Sequence, residues 1–238
     1  MNWHFVNLDT VDSTNNFIRT IDKDRVVVVS DYQSSGRGQG DNFWESEEGK
    51  NLLFSLKLKD ITISPNRQFL LSMVGALALK DTLDTYAKGF KFKWPNDIYW
   101  GDKKVSGTLI ETVINQRNIK ECIYGVGVNV NQKIFHSSAP NPISLCQIIN
   151  KEIDRDELLK LFLINFDNYN SMIIQNENEI INAYNDNLYR RNGFYKYEDK
   201  AGLFEAEIVE VKPNGLLVLR DKEGMTRTYE LKEVKFII

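Results

Sequence analysis

A chain of 238 residues with 42% hydrophobic and 26% charged residues, and only 14 glycines and 5 prolines, is long enough to bury its own core and too apolar to stay disordered. Thirty basic residues against 33 acidic ones give a net charge of −3, which offers nucleic acid no general attraction and leaves any anion to be met by local groups. The opening MNWHFVNLDTVDSTNN lacks a basic start followed by an apolar run, and no later stretch reaches the length of a membrane span, so a cytoplasmic protein without a membrane partner is expected.

Residues 3–9 read as a strand, and Asp12 or Ser13 can cap a helix running to about Ile21, before a β-branched strand over Arg25–Ser30. From Tyr32 to Lys50, glycines and small polar residues break the periodicity and suggest a long functional loop; Asn51–Leu58 resumes as a strand. Ser64 followed by Pro65 signals the start of a core helix that continues through FLLSMVGALALKDTLDTYA. Phe90–Trp94, Asp97–Trp100, Lys104–Ile114 and Ile119–Val130 read as strands, turned at Gly101–Asp102 and over residues 115–118. Leu158–Met172 and Glu179–Tyr189 are helical patterns, and a small β meander broken by KPNG and KEG turns follows. The expectation is an α+β domain over residues 1–188, with a mixed, mostly antiparallel sheet and flanking helices, then a compact β-barrel-like module over 189–238. Cys122 and Cys146 read as buried free thiols, and with only His4 and His136 besides, no zinc site is expected.

Four islands could carry chemistry. The loop Gln33, Ser34, Ser35, Gly36, Arg37, Gly38, Gln39, Gly40 lets backbone N–H groups approach an anion, with Arg37 adding a forked donor; taken alone, it is equally a plain turn. Lys93, Trp94, Pro95, Asn96 and Asp97 join two strands through a rigid turn, where Asp97 could hold Mg²⁺ and Asn96 a phosphate or ribose. Lys103 and Lys104 precede Gly107 inside KVSGTLIE, and a strand glycine often marks close approach of a ligand or another backbone. In GVGVNVN, residues 125–131, small residues alternate with valines, and Asn129 needs a partner that a ligand could supply.

In this order, with DSTN near the start, the GRG loop and its later Trp44 and GKNL, KWPND followed by KKVSG, GVGVNVN and a small β C-terminal module, the chain resembles the catalytic domain of biotin protein ligases along nearly its whole length. The resemblance implies a fold like that of class II aminoacyl-tRNA synthetases plus a small SH3-like β-barrel domain. It also implies a two-step reaction: biotin's carboxylate attacks the α-phosphate of ATP to give biotinyl-5′-AMP and pyrophosphate, and a lysine of a biotin carboxyl carrier protein then attacks the mixed anhydride. Two unit anions at about 4 Å in an effective dielectric near 20 repel by roughly 4 kcal/mol, so cations must bring them together. The resemblance casts Arg37 and Lys104 as the catalytic cations, with Mg²⁺ on Asp97 as helper.

By the same resemblance Ser13, Thr14, Asn15 and Gln33 bond the ureido ring. Gly36, Arg37, Gly38 and Gln39 lie along the valerate tail and phosphates, and Lys104, beside Gly107, takes biotin's carboxylate. Arg37, Trp44, Lys93, Asn96, Asp97 and Asn129 serve ATP. The glycine-rich stretch through Trp44 would be a lid excluding water from the acyl adenylate, although Trp44 reads equally as a core aromatic. No general base stands out, leaving Asp97 or solvent to take the proton of the carrier lysine.

Two departures from the family pattern stand out. Some members carry another basic residue after GRG, where this chain has Gln39, Gly40 and Asp41. Members that also repress transcription carry a DNA-binding helix-turn-helix before the catalytic domain, whereas this chain starts inside that domain, so no nucleic-acid partner is expected. A monomer and a homodimer both remain open. The alternatives are a lipoate or octanoate ligase or transferase and, in another class, a non-catalytic biotin or nucleotide sensor. The pairing of KWPND with GRG favours biotin, and the presence of both Arg37 and Lys104 favours an enzyme.

Overall fold

The computed structural model describes residues 3–40, 42–115, 118–136 and 141–238. Asp41 and residues 116–117 of the expected hairpin turn lie outside the described residues. Seven strands, β1 (His4–Val11), β2 (Val26–Gln33), β3 (Leu52–Ile61), β4 (Phe90–Lys93), β5 (Asp97–Trp100), β6 (Lys103–Asn115) and β7 (Asn118–Val128), form one sheet in the order β1-β2-β3-β7-β6-β5-β4. β1 and β2 are parallel and are joined by helix α1 (Thr14–Arg19); every other neighbouring pair is antiparallel. The expected mixed, mostly antiparallel sheet is what forms.

The two-residue period of the strands sorts their side chains to opposite faces. Phe54, Leu56 and Leu58 of β3 and Tyr124, Val126 and Val128 of β7 enter the main core, which they share with α2 (Phe69–Leu83), α4 (Arg155–Gln175) and α5 (Glu177–Asp186). Ile123 faces the other way and packs with Val26, Val28 and Ile18 of α1. Six residues of α1 cannot cover a seven-stranded sheet, so the rest of this second face is left to loops.

The helix expected to open at Pro65 begins as a 3₁₀ turn over Pro65–Arg67, because Arg67 N–H bonds Ser64 O and Gln68 N–H bonds Pro65 O; regular α-helix starts at Phe69. A five-residue helix, α3 (Leu145–Ile149), has no apolar repeat to announce it and is started by a capping box between Ser144 and Gln147. Both cysteines are buried and free. No helix among the described residues is long and apolar enough to cross a membrane.

After Tyr189, the strands β8 (Tyr195–Asp199), β9 (Gly202–Val211), β10 (Leu217–Asp221), β11 (Thr226–Tyr229) and β12 (Lys235–Phe236) form a five-stranded antiparallel sheet ordered β11-β10-β9-β8-β12. Its inward residues Tyr197, Ile208, Leu217 and Leu219 belong to the same apolar cluster as the main core. Trp94 Nε1 donates to Gly215 O at 3.0 Å, and Asn185 holds both backbone groups of Val211. The turn after β4 is therefore fastened to the second sheet.

Candidate active site

On the sheet face that α1 leaves open lies a cavity of about 430 Å³. Its floor is made where β6 and β7 pair Gly107 with Gly127. A Cβ on Gly127 would stand 2.4 Å from Trp44 Cε2, and one on Gly125 2.3 Å from Asn15 Oδ1, so these strand positions must lack side chains for the indole and the amide to lie on the sheet. A Cβ on Gly107 would meet Trp44, Lys104 and Asp97 together. Trp44 is thus a half-buried wall of the cavity and stands outside the main core.

One end of the cavity is polar and uncharged. Ser13 occupies the N-cap position of α1, yet its hydroxyl makes no capping bond, and the residue is 2% exposed. Thr14 N–H donates to Gln33 Oε1 at 2.7 Å, and Ser55, fully buried on β3, lies 2.7 Å from Thr14 Oγ1 and 2.6 Å from Asn15 Oδ1. Asn15 Nδ2 donates to Glu111 Oε2 at 2.9 Å.

The other end is charged. Lys104 Nζ sits 2.7 Å from Asp97 Oδ1 and 5.5 Å from the centre of the Trp44 ring. Lys93 lies over the rings of Tyr99, at 5.3 Å, and Phe236, at 5.1 Å, with no ion pair among the described residues; burial pushes its ammonium below the ordinary lysine value, opposed in part by Asp97. Asn96 Nδ2 donates to Thr108 O and so braces the turn between β4 and β5. Asn129, buried on the strand end, donates to Lys104 O at 3.3 Å, so part of its hydrogen-bonding need is met by the backbone of the lysine that the sequence singled out. Arg37 stands apart from these, at the lip beside the polar end, about half exposed, with Nη1 3.3 Å from Asn16 Oδ1 and Nη2 3.9 Å from Glu111 Oε1.

The fold brings Ser13, Thr14, Asn15, Gln33, Arg37, Gly38, Gln39, Trp44, Lys93, Asn96, Asp97, Lys104, Gly107 and Asn129 to this one cavity. Gly36 is not among the lining residues. Its carbonyl accepts Trp44 N–H at 2.9 Å, so it closes the loop on itself instead of facing the cavity. Sequence reasoning missed Ser55 and Glu111. Ser55 had a signal of the kind noticed at Asn129, a lone polar residue in an apolar strand, whereas nothing local marks Glu111. Among the described residues no group of three or more His, Cys, Asp or Glu side chains is placed to hold a metal ion.

The profile of the biotin/lipoate A/B protein ligase family matches residues 8–129, which include the polar end, the glycine-rich loop, the KWPND turn and Lys104. The chain belongs to the biotin/lipoate A/B protein ligase family. It is 26% identical over 242 residues to the bifunctional ligase/repressor BirA of Bacillus spizizenii, a match that covers 96% of this chain and 73% of that protein. Biotin–protein ligase 2 of Arabidopsis thaliana is 29% identical over 160 residues, covering 63% of this chain and 46% of that one. In fold the chain is similar to the biotin protein ligase of Aquifex aeolicus solved in complex with biotin and ATP, with a TM-score of 0.81, 24% identity, and coverage of 98% of this chain and 99% of the other. The family assignment leaves the acid to be read from the cavity.

Proposed function

We infer that the chain is a biotin protein ligase: it uses ATP to activate biotin as biotinyl-5′-AMP and transfers the acyl group to a lysine of a biotin carrier protein. The observation that carries this reading is the polarity of the cavity. A neutral end rich in hydroxyls and amides suits a ureido ring, and a cationic end suits a carboxylate that must meet a phosphate. Lipoate and octanoate have no polar ring to satisfy Ser13 and the Thr14–Gln33 pair, and leaving such groups buried without partners costs on the order of 1–3 kcal/mol each. A sensor that only bound biotin would have no use for Lys104, Lys93 and Arg37 converging on one site.

Lys104 takes the acid's carboxylate, exchanging its contact with Asp97 for the ligand, and Arg37 swings from the lip onto the phosphates. Lys93, Asn96 and Asn129 serve the nucleotide, with Trp44 as an aromatic wall that keeps water from the anhydride. Mg²⁺ would arrive with the phosphates and be held on the protein side by Asp97, since a single carboxylate suits a metal that keeps substrate oxygens as its other ligands. When bound it supplies neutralising charge. Residues 1–188 form the catalytic unit and 189–238 its companion, which steadies the KWPND turn through Trp94.

The carrier is a biotin carboxyl carrier protein or domain of a biotin-dependent carboxylase. The pairing of β5 stops at Gly107 and Asn96 holds Thr108, leaving the outer edge of β6 beyond Thr108 without a strand partner among the described residues, and this edge can take an added strand from the carrier or from a second subunit. Pyrophosphate exchange with purified protein and Mg²⁺, run in parallel with biotin, lipoate, octanoate and no acid, tests the reading. Exchange with biotin alone is expected; exchange with lipoate or octanoate would move the chain to the other branch of its family, and biotin binding without exchange would make it a sensor.

A further inference from the structure

Glu111 lies behind the cavity lining, on β6, and no step of the reaction described above uses it. Its Oε2 accepts Asn15 Nδ2 at 2.9 Å, and its Oε1 lies 2.5 Å from Arg19 Nη2 and 3.9 Å from Arg37 Nη2. We propose that Glu111 is a positioning residue that sets the direction of the hydrogen bonds at the polar end of the cavity and thereby decides which atoms are left for a neutral ring. This inference rests on the biotin reading.

The argument is a count of protons. A carboxylate only accepts, so Asn15 must turn its Nδ2 to Glu111 and its Oδ1 to Ser55. Ser55 has one hydroxyl proton, which therefore goes to Asn15, and its oxygen is left as an acceptor 2.7 Å from Thr14 Oγ1. Gln33 Oε1 accepts Thr14 N–H at 2.7 Å and lies 3.0 Å from Thr14 Oγ1, so the one hydroxyl proton of Thr14 is spent on Gln33 or on Ser55 and not on a ligand. The bonds run one way from Ser55 to Asn15 to Glu111, and Thr14 turns its proton away from the cavity. What remains for a ligand is a lone pair on Thr14 Oγ1, the Nε2 donors of Gln33 and the unbonded hydroxyl of Ser13, a set that matches a ring with both N–H donors and a carbonyl. Without an acceptor-only terminus the amide of Asn15 could flip and the whole row reverse, presenting Thr14 as a donor. Arg19 lets this carboxylate sit near a site for anions by neutralising it.

The test is calorimetric binding of biotin and, separately, of ATP to wild type, Glu111→Ala, Glu111→Gln, Asn15→Ala and the Glu111→Ala/Asn15→Ala pair. Glu111→Ala should weaken biotin roughly tenfold or more, the consequence of a buried amide left without its acceptor, with ATP affinity changed less than about twofold. Glu111→Gln, which can still accept from Asn15 but does not enforce the direction, should recover part of the loss. In the double variant the two losses should be well short of additive, since both remove one row of bonds. Equal loss of biotin and ATP affinity would make Glu111 merely structural, and unchanged biotin affinity in Glu111→Ala would overturn the assignment. Wild-type protein that bound a different acid and not biotin would instead sink the functional reading on which the proposal rests.

Discussion

Replacing Lys104 with methionine keeps the length of the side chain and removes its charge. In the structure the ammonium lies 2.7 Å from Asp97, with side-chain exposures of 22% and 16%, so it works in a partly screened setting. Two anions brought to about 4 Å at an effective dielectric near 20 repel by roughly 4 kcal/mol, and the solvent still reaching the pair trims what one cation can offset to about half to three quarters of that. At tenfold per 1.4 kcal/mol, biotin-dependent pyrophosphate exchange should fall by roughly 30- to 200-fold. The assay is exchange at saturating ATP, with thermal unfolding as a check on the fold. A well-folded Lys104→Met enzyme exchanging within about threefold of wild type would remove Lys104 from the chemistry and refute the charge argument.

Gly127→Ala places a methyl 2.4 Å from Trp44 Cε2; the indole must leave the floor, and ATP binding should weaken by roughly tenfold while the strand itself holds, which ATP calorimetry and Trp emission would reveal. Lys57, buried on β3, donates to Ile18 O and Ile21 O at the end of α1, so Lys57→Met should cost about 1 kcal/mol in urea unfolding by orphaning the Ile21 carbonyl, while Ile18 O keeps the N–H of Ile21. Burial lowers the pKa of Lys57 below 10.5, so above its folded value the unfolded chain holds the extra proton, and the residue's contribution to stability grows with pH. The gap between wild type and Lys57→Met should therefore widen as pH climbs toward 10.5; a constant gap would deny the shift. Deleting the residues after Tyr189 should strip Trp94 of its bond to Gly215 and open the shared core, giving a chain that melts earlier or aggregates; a stable, fully active truncation would make the second sheet an appendage.

The sheet was legible because its signals are local. Alternating residues in β3 and β7, the turn at Gly101 and the β meander after residue 200 each announce an element from a few neighbours, and the islands announced themselves by composition. What could not be read is register. Ser55 meets Asn15 across 40 positions and Glu111 meets it across 96, contacts that exist only because β3, β7 and β6 pair in one alignment. The helix at Ser64 erred for a related reason: a serine and a proline mark the start of a turn equally well for 3₁₀ and α geometry, and only the later residues decide. Gly36 shared a loop with Arg37 but not its direction.

The glycines of β6 and β7 illustrate what pairing adds to pattern. In the sequence they are small residues inside runs of larger strand formers; in the fold they are vacancies on a rigid floor, filled by an amide from α1 and an indole from the loop. The ligand-facing surface is thus made mostly of side chains that reach in from outside the sheet, while the strands contribute bare backbone and the fixed positions of Lys104 and Asp97. On the proposed reading, such a division would let the loop open for substrates and close over an anhydride without disturbing the sheet, because displacing Trp44 uncovers glycine and breaks no strand pairing. On the same reading the burden of ring recognition falls on α1, which is held from behind by Lys57 at its end and by Glu111 at Asn15. Two charged residues outside the cavity lining, Lys57 and Glu111, thus brace α1 from behind.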